Sequence, residues 1–431
     1  MVISGNLVGG SSGSGGFPDG WKDERTAEAY EDITQGDPIL LQHFGDYSAG
    51  AIGKVPDPDV LPVSRTTTLA WAPDDTYLAT AYSAYLAIYK RNGDILTKLP
   101  NPDVLPAATL ADLAWSPDGL YLAIATFDTV DRLFIYKRTG DVFAKLPSPE
   151  YQLSGDARAV DFSPDGKYLM VGGDGSSVGG MMVTYTYEND VFTRVANPSI
   201  INYSDADYVS RIYFLGGNRV IIVLHGINRA FLFSYDEEGF ASIQTLYSPA
   251  GSAYPILAVS STSDGQYLFL GSTYYNSKSM ALYKWSGSDY DSVQELTRGS
   301  NIIRASTFTA DGLHLVISHS ELSCLTLYSL ENDALIIQPY PFSPIPMAYC
   351  SDLAESHNGG YLACAVYTTT QPSILVYRLE AKDVATKIST LHSQPVYWLP
   401  AADMGVAMES KVTGEQCKIN LFPALNNLIG G

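Results

Sequence analysis

Apolar residues along the chain fall in short runs separated by turns rich in Asp, Gly and Pro, and one phrase of this pattern recurs. Its clearest copies are LAWAPDDTYLATAY from Leu69, LAWSPDGLYLAIAT from Leu113 and VDFSPDGKYLMVGG from Val160. Two apolar runs joined by an Asp-Gly turn are typical of a β-hairpin. The units recur at intervals of 44 to 52 residues, and weaker copies begin at Ile212, Val259, Ser306, Asp352 and Tyr397.

Each unit continues with a third apolar run and, after a second turn, with a fourth. Four antiparallel strands in a repeat of this length are the pattern of a β-propeller blade. An aromatic residue lies near the end of each third run, and we expect this column of rings to be largely buried. The column consists of Tyr89, Tyr136, Tyr185, Tyr235, Tyr283, Tyr328, Tyr377 and Phe422.

The two ends of the chain predict how the ring closes. The phrase KVPDPDVLP (Lys54–Pro62) nearly repeats KLPNPDVLP (Lys98–Pro106), which follows a fourth run, so residues near Ala51–Val55 resemble an outer strand without its own hairpin. The last unit, Val396–Phe422, has three runs and then stops. Pairing the two would remove open sheet edges. We therefore predict an all-β protein with a single propeller of four-stranded blades, eight-bladed and closed by pairing of N- and C-terminal strands; seven blades is the alternative.

Three regions follow from this reading. Residues 1–37 form an N-terminal arm that is Gly/Ser-rich over residues 1–20, and such a composition predicts flexibility. The arm is either a disordered leader or a segment that orders against a neighbouring subunit, and TAEAYEDITQGDP (Thr26–Pro38) could hold one short helix. The propeller is predicted over residues 38–423, with residues 424–431 as a C-terminal tail.

The SPDG-x-YLA hairpins resemble WD40-like propeller repeats of bacterial and viral proteins. The phrases AIYKRNGDILTKLPNPDVLP and FIYKRTGDVFAKLPSP, which cover about Leu69–Glu150, resemble propeller repeats in structural proteins of tailed-bacteriophage virions. The third runs end in IYKR or LYSL rather than Trp-Asp, so the His/Ser/Asp/Trp tetrad of WD40 repeats is not carried over. The resemblance implies a virion component, made in the host cytoplasm, that contacts other virion proteins.

Composition narrows the classes of partner. The 46 Asp and Glu residues outnumber the 26 Lys and Arg residues, which gives a formal charge of −20. This balance argues against a nucleic-acid or anionic-membrane surface, because both require a surplus of basic residues. The chain lacks a run of 18 apolar residues, so we expect no membrane insertion. Its N-terminal segment has neither the basic nor the apolar region of a signal peptide.

Candidate catalytic and metal-binding patterns are weak. The six His and four Cys residues show no HxH, i,i+4 or CxxC spacing, and no GxSxG or phosphate-binding loop occurs in an ordered context. The alternating acids of Ser204–Tyr208 and Gly287–Ser292 lack the Gly and Glu of a calcium loop. We predict no metal, no cofactor and no enzyme activity. The recurring Asp residues of the hairpin turns should cap their own turns: Asp118, Asp165, Asp264 and Asp311.

One face of the ring carries the candidate contact residues, where the second runs of the units end. Its aromatic residues could stack on sugars or anchor a protein, although ordinary packing between blades is the alternative. The candidates are Tyr82, Phe127, Asp128, Asp174, His225, Tyr274, Tyr275, His319 and Tyr367. We predict a non-catalytic structural or interaction propeller of a phage tail or capsid. The alternatives are a glycan- or receptor-binding propeller and a lactonase-like hydrolase, which needs His, Asp or Glu converging at the central channel.

Overall fold

The computed structural model describes the chain as β-strands and connecting turns, with no helix among the described residues. No segment of these residues forms a helix long and apolar enough to cross a membrane. The described residues are 24–29, 38–45, 52–62, 65–175, 180–199, 207–251, 254–273, 278–297, 302–320, 324–338, 342–343, 349–368, 373–379, 381–387, 403–407 and 416–421.

Three strands precede the first blade: β1 (Glu24–Ala29), β2 (Pro38–Gly45) and β3 (Ile52–Lys54). Each repeat then supplies four antiparallel strands, numbered from the inner strand outward. Blade one is β4 (Thr68–Trp71), β5 (Tyr77–Tyr82), β6 (Tyr85–Asn92) and β7 (Ile95–Lys98). Blade two is β8 (Leu110–Trp115), β9 (Tyr121–Thr126), β10 (Leu133–Thr139) and β11 (Val142–Lys145). Blade three is β12 (Ala157–Phe162), β13 (Tyr168–Gly173), β14 (Met182–Glu188) and β15 (Val191–Val195).

The remaining blades follow the same order. Blade four is β16 (Val209–Leu215), β17 (Arg219–Leu224), β18 (Arg229–Tyr235) and β19 (Phe240–Tyr247). Blade five is β20 (Ile256–Ser261), β21 (Tyr267–Ser272), β22 (Met280–Trp285) and β23 (Tyr290–Leu296). Blade six is β24 (Ile303–Phe308), β25 (His314–His319), β26 (Leu325–Glu331) and β27 (Ala334–Ile337). After β28 (Phe342–Ser343) come β29 (Cys350–Glu355), β30 (Tyr361–Val366) and β31 (Ile374–Arg378) of blade seven, and then β32 (Ala381–Lys387), β33 (Asp403–Ala407) and β34 (Gln416–Leu421).

The propeller has seven blades, so the prediction of eight is wrong. Strand β3 is the predicted outer strand without a hairpin, but it pairs antiparallel with β31, matching Lys54 to Tyr377. It thereby completes blade seven, in which Ile52 is fully buried, and β28 adds in parallel beside it. The C-terminal repeat supplies β33 and β34, which pair with β2 and β1 instead of forming an eighth blade. The predicted closure by pairing of N- and C-terminal strands is present.

A second compact unit consists of residues 1–46 and 380–431, and the propeller unit is Tyr47–Leu379. The second unit contains a closed sheet in the order β1-β32-β2-β33-β34. Strand β1 includes Thr26–Ala29, where a short helix was predicted, and its residues pair with β34 from Glu24–Asn420 to Glu28–Gln416. Pairing with a distant strand has overridden the helix propensity of this Ala- and Glu-containing segment.

The predicted burial of the aromatic column is confirmed for its described members. Tyr89, Tyr136 and Tyr377 are fully buried, and Tyr283, the most exposed, retains 9% of its surface. A buried phenol needs a hydrogen-bond partner, and the Tyr136 hydroxyl donates to the Val104 carbonyl at 2.6 Å. Phe422 lies outside the described residues.

The hairpin turns also form as predicted. In blade two, the Asp118 carboxylate accepts hydrogen bonds from the Ser116 hydroxyl at 2.5 Å and the Leu120 N–H at 2.9 Å. Gly119 has a φ of +68°, a backbone conformation that favours glycine. The same cap is made by Asp165, Asp264 and Asp311.

Neighbouring blades are joined at their outer edges by a recurring polar contact. A Tyr at the start of a second strand and a Lys or Arg at the third strand both bind an Asp in the outer turn of the next blade. Between blades one and two, the Tyr77 hydroxyl donates to Asp141 at 2.6 Å and Lys90 Nζ lies 2.9 Å from the same carboxylate. The other sets are Tyr121, Lys137 and Asp190; Tyr267, Lys284 and Asp333; and Tyr361, Arg378 and Asp94.

The inner strands β4, β8, β12, β16, β20, β24 and β29 contact one another in sequence and close into a ring around a central channel. Carboxylates of three inner strands accept backbone hydrogen bonds from the next blade. Such bonds tie blades together where the main chain has no ladder partner. They are Val160 N–H to Asp112 at 3.1 Å, Phe214 N–H to Asp161 at 2.9 Å and Leu69 N–H to Asp352 at 3.0 Å.

Candidate interaction face of the propeller

One face of the propeller, here named the stack face, is formed where second strands end and inner strands begin. These two sets of residues meet because the two strands are antiparallel neighbours in every blade. Of the predicted contact residues, five lie here and are partly exposed: Tyr82, Phe127, Asp174, His225 and Tyr367.

The other predicted residues have different surroundings. Asp128 is a turn cap, since its carboxylate accepts the Val130 N–H at 2.8 Å. His319 is fully buried, with Nε2 3.0 Å from the Thr326 hydroxyl, so its ring does not reach the surface. Tyr274 and Tyr275 lie outside the described residues.

The first cluster on this face, named the paired stack, spans blades two to four. The Arg158 guanidinium lies between two rings, 4.8 Å from the Phe127 centroid and 4.5 Å from that of Tyr208. The Tyr208 ring in turn stacks on His225, with centroids 4.6 Å apart and planes 9° from parallel. Arg158 also makes a bidentate ion pair with Asp174, with Nε–Oδ1 and Nη2–Oδ2 distances of 2.7 and 3.0 Å.

The charges of the paired stack shift one another's ionisation. The Asp174 carboxylate raises the pKa of Arg158. Burial lowers the pKa of His225, and the positive Arg158 lowers it further. His225 is therefore neutral near pH 7 and packs as an uncharged ring, while Arg158 and Asp174 neutralise each other.

The second cluster, named the open stack, joins blades six, seven and one. The rings of Tyr349 and Tyr367 stack with centroids 4.9 Å apart and planes 14° from parallel. Arg304 covers Tyr349 at 4.9 Å, and Arg65 covers Tyr367 at 4.4 Å. Arg65 also lies 5.2 Å from the centroid of Tyr82. The result is a four-layer stack of guanidinium, ring, ring and guanidinium.

The two guanidiniums of the open stack differ from Arg158 in their ion pairing. In the part of the chain that the structure describes, neither Arg65 nor Arg304 makes an ion pair, and the Nε of each is buried without a hydrogen-bond acceptor. Burial raises the pKa of Tyr349, which keeps its phenol neutral at physiological pH. The open stack is thus a local positive site on a protein of strongly negative net charge.

The half of this face near the starts of the inner strands was not predicted from the sequence: Arg65, Arg158, Tyr208, Arg304 and Tyr349. Arg158 and Arg304 occupy β-bulges, where the pairing register shifts between Ala157 and Ala159 and between Ile303 and Ala305. A bulge re-aims a side chain from the sheet toward its rim. The available sequence signal is the frequency of Arg and Tyr immediately before the first apolar run of each repeat.

Among the described residues, no group of three or more His, Cys, Asp or Glu side chains is arranged to hold a metal ion. The geometry of the stack face is that of a contact surface of rings and guanidiniums. Arg and Tyr are the residue types that dominate the energetics of protein interfaces.

Comparisons with known proteins support the fold. A family model described as WD40, WD domain, G-beta repeat, matches residues 148–178, which include the first hairpin of blade three. No curated protein matches the chain. The solved structure titled "Structure of U3-55K" is 14% identical, with a TM-score of 0.56 over 77% of this chain and 99% of that one. The structure titled "Crystal structure of RRP9 WD40 repeats" is also 14% identical, with a TM-score of 0.56 over 79% of this chain and 99% of that one.

These likenesses establish a WD40-type β-propeller fold, in agreement with the repeat phrases. At 14% identity these likenesses show the fold but not the function, since one fold serves many functions. They lend no support to the resemblance to phage virion proteins.

Proposed function

We propose that this protein is a non-catalytic scaffold whose propeller binds another protein through the stack face. The open stack is the centre of that contact and receives an acidic group of the partner. The observation that carries the proposal is the pair of guanidiniums, Arg65 and Arg304, that cap stacked rings and pair with no carboxylate of the described residues. WD40-type propellers typically serve as protein-interaction scaffolds, which agrees with this assignment.

The arrangement suits recognition because stacking restrains each guanidinium before a partner arrives. An arginine held flat on a ring keeps its N–H donors in a fixed fork and loses little side-chain entropy on binding. Carboxylates fit this fork with two parallel hydrogen bonds. The net charge of −20 opposes the approach of an acidic partner elsewhere on the chain, so the two arginines would also fix where it docks.

The same geometry disfavours glycan binding at this site. A sugar stacks on the open face of an aromatic ring. Here Tyr349 and Tyr367 cover each other, and their outer faces are covered by Arg304 and Arg65. The faces that a sugar needs are occupied.

The test uses the full chain and a fluorescent hexaglutamate peptide, with affinity measured by fluorescence anisotropy. We expect the double variant Arg65→Gln/Arg304→Gln to bind at least tenfold more weakly, because each charge-assisted hydrogen bond contributes about 1.5–3 kcal/mol. The matched control is Arg194→Gln, since Arg194 also lies over a ring, Tyr151, at 5.5 Å but belongs to outer strand β15. Equal losses in both variants, or saturable binding that survives the double variant, contradict the proposal.

We further propose that the assembly is the virion of a tailed bacteriophage, with the protein synthesised in the host cytoplasm and docked on other virion proteins. The support is the resemblance of the repeat phrases within Leu69–Glu150 to those of virion proteins. Mass spectrometry of purified virions should find the chain at a fixed copy number. Its absence from the particles, or a variable copy number, contradicts this setting.

A further inference from the structure

A cavity of about 560 Å³ lies at the end of the central channel opposite the stack face. It is lined by the last residues of the inner strands and by the turns that follow them, which run away from the stack face. The polarity of the lining residues differs around the wall. Blades one to four contribute rings and prolines, including Trp71 and Trp115, whereas blades five and seven contribute Ser261 and Glu355. A volume of this size is in the range of small-ligand sites.

Asp161 places a carboxylate in this cavity, and none of the described residues sets a cation beside it. Its two oxygens accept the N–H groups of Phe162 and Phe214, both at 2.9 Å. The side chain keeps some accessible surface and lines the cavity, and the surrounding protein still shields its carboxylate from bulk water. This burial raises the pKa of Asp161 to about 7, and no positive group lowers it.

The neighbouring carboxylates of the channel differ in this respect. Burial also raises the pKa of Asp112, to about 6, and that of Asp352. The positive charge of Arg211 partly offsets the rise in both pKa values. A buried carboxylate without a counter-charge carries a large solvation cost that a cation can relieve. Among the described residues that line the cavity, none is Lys or Arg.

We infer that this cavity binds an organic cation, a guanidinium or alkyl-ammonium group, with Asp161 as its ion-pair partner and Glu355 as a second acidic group of the wall. The apolar half of the wall accommodates the methylene stem of such a ligand, as long cationic side chains bury their stems against apolar surface. A metal ion is a poorer fit, since the described residues offer no cluster of three ligands.

The wall of the cavity also contains an unpaired hydrogen-bond donor. The Trp71 indole lines the cavity and is 3% exposed, and its Nε1 has no acceptor among the described residues. The equivalent Trp115 in blade two donates its Nε1–H to the Ala70 carbonyl at 3.2 Å. An unpaired buried donor costs about 1–3 kcal/mol. The Trp71 nitrogen is itself buried, so a ligand carbonyl reaches it only if the ring shifts.

The test titrates the full chain by calorimetry with Nα-acetyl-arginine amide, Nα-acetyl-lysine amide and the neutral isostere Nα-acetyl-citrulline amide. We expect saturable binding of at least one cation and at least tenfold weaker binding of the citrulline compound. Whichever cation binds more tightly identifies the head group. Equal affinity for the citrulline compound, or no saturable binding below about 10 mM, overturns the inference.

The pH dependence of the affinity tests whether Asp161 is the residue that binds the cation. The ionisable groups that face Asp161 are Asp112, Tyr213 and Tyr235, and burial keeps both phenols neutral. Because only the ionised carboxylate attracts the cation, affinity should fall about tenfold between pH 8 and pH 6. Substituting His357, which lines the cavity and is exposed, by Gln should leave this dependence in place.

Three variants test the cavity and distinguish it from the stack face. Asp161→Asn should abolish cation binding and its pH dependence, and Glu355→Gln should weaken it severalfold; melting temperatures report whether each variant folds. If Asp161→Asn fails to fold, the Glu355→Gln variant and the pH profile decide. Unchanged affinity in the folded Asp161→Asn variant overturns the inference. Arg65→Gln/Arg304→Gln should bind the cation normally, so a failure here is distinguishable from a failure of the proposed scaffold function.

Discussion

The two stacks on one face of the propeller are built from the same residue types but differ in charge. In the paired stack, Arg158 lies between two rings and its charge is met by Asp174 at 2.7 Å. In the open stack, Arg65 and Arg304 cover a pair of rings and no described carboxylate meets either of them. Stacking fixes the position of a guanidinium, whereas the presence of a carboxylate decides whether its charge serves stability or binding.

The largest expected effect is on stability and distinguishes the stacks directly. Arg158→Ala removes a bidentate ion pair and two ring contacts and leaves Asp174 without its partner. We expect a loss of about 1–3 kcal/mol in the free energy of unfolding. Among the described residues, Arg65→Ala removes contacts with Tyr367 and Tyr82 but no ion pair, and it should cost about 1 kcal/mol or less. Urea unfolding of both variants measures the difference, and a larger loss for Arg65→Ala would reverse the roles of the two stacks.

The second prediction converts the paired stack into an open one. Asp174→Ala frees the Arg158 guanidinium, so the affinity for hexaglutamate should rise by roughly three- to tenfold, which corresponds to about 1 kcal/mol. The gain should disappear in the double variant Asp174→Ala/Arg158→Gln. It should also shrink at high salt, since exposed charges are screened within about 10 Å at 0.1 M. An Asp174→Ala variant that folds but gains no affinity would show that a free guanidinium on a ring is insufficient for binding.

The fold was largely predictable because its signals are local. The hairpin caps at Asp118 and the buried ring of Tyr136 follow from a few adjacent residues. The number of blades was not predictable, because an outer strand can pair with a segment that is distant in the sequence. Ala381–Lys387 follows blade seven where its fourth strand is expected, yet it pairs with β2, and β3 takes the vacant place.

The stack face was predictable only in part for a similar reason. Rings at the ends of second strands, such as Phe127 and Tyr367, could be found from their position in the repeat. The arginines could not, because a bulge at the start of an inner strand decides where Arg158 points. Its ion pair with Asp174 forms across the two antiparallel strands of a hairpin, and this contact depends on the shifted register.

The smallest expected effect concerns pH and again separates the stacks, because only the paired stack contains a group that titrates near neutrality. Burial and the charge of Arg158 hold the pKa of His225 below 6.5 in the folded protein. The unfolded chain therefore binds more protons as the pH falls below about 6.5, and the stability that neutral His225 provides above that pH is lost progressively. His225→Phe keeps a ring on Tyr208 but cannot titrate. Its melting temperature should fall less than that of the unsubstituted chain between pH 7.5 and pH 5.5, by on the order of 1–2 °C.

All other His residues are common to both proteins and cancel in this difference. Arg158→Gln should reduce the difference, since it removes one of the two causes of the shift, whereas Arg65→Gln should leave it unchanged. Equal pH dependence of the melting temperature in the His225→Phe variant and the unsubstituted chain would mean that folding does not lower the pKa of His225.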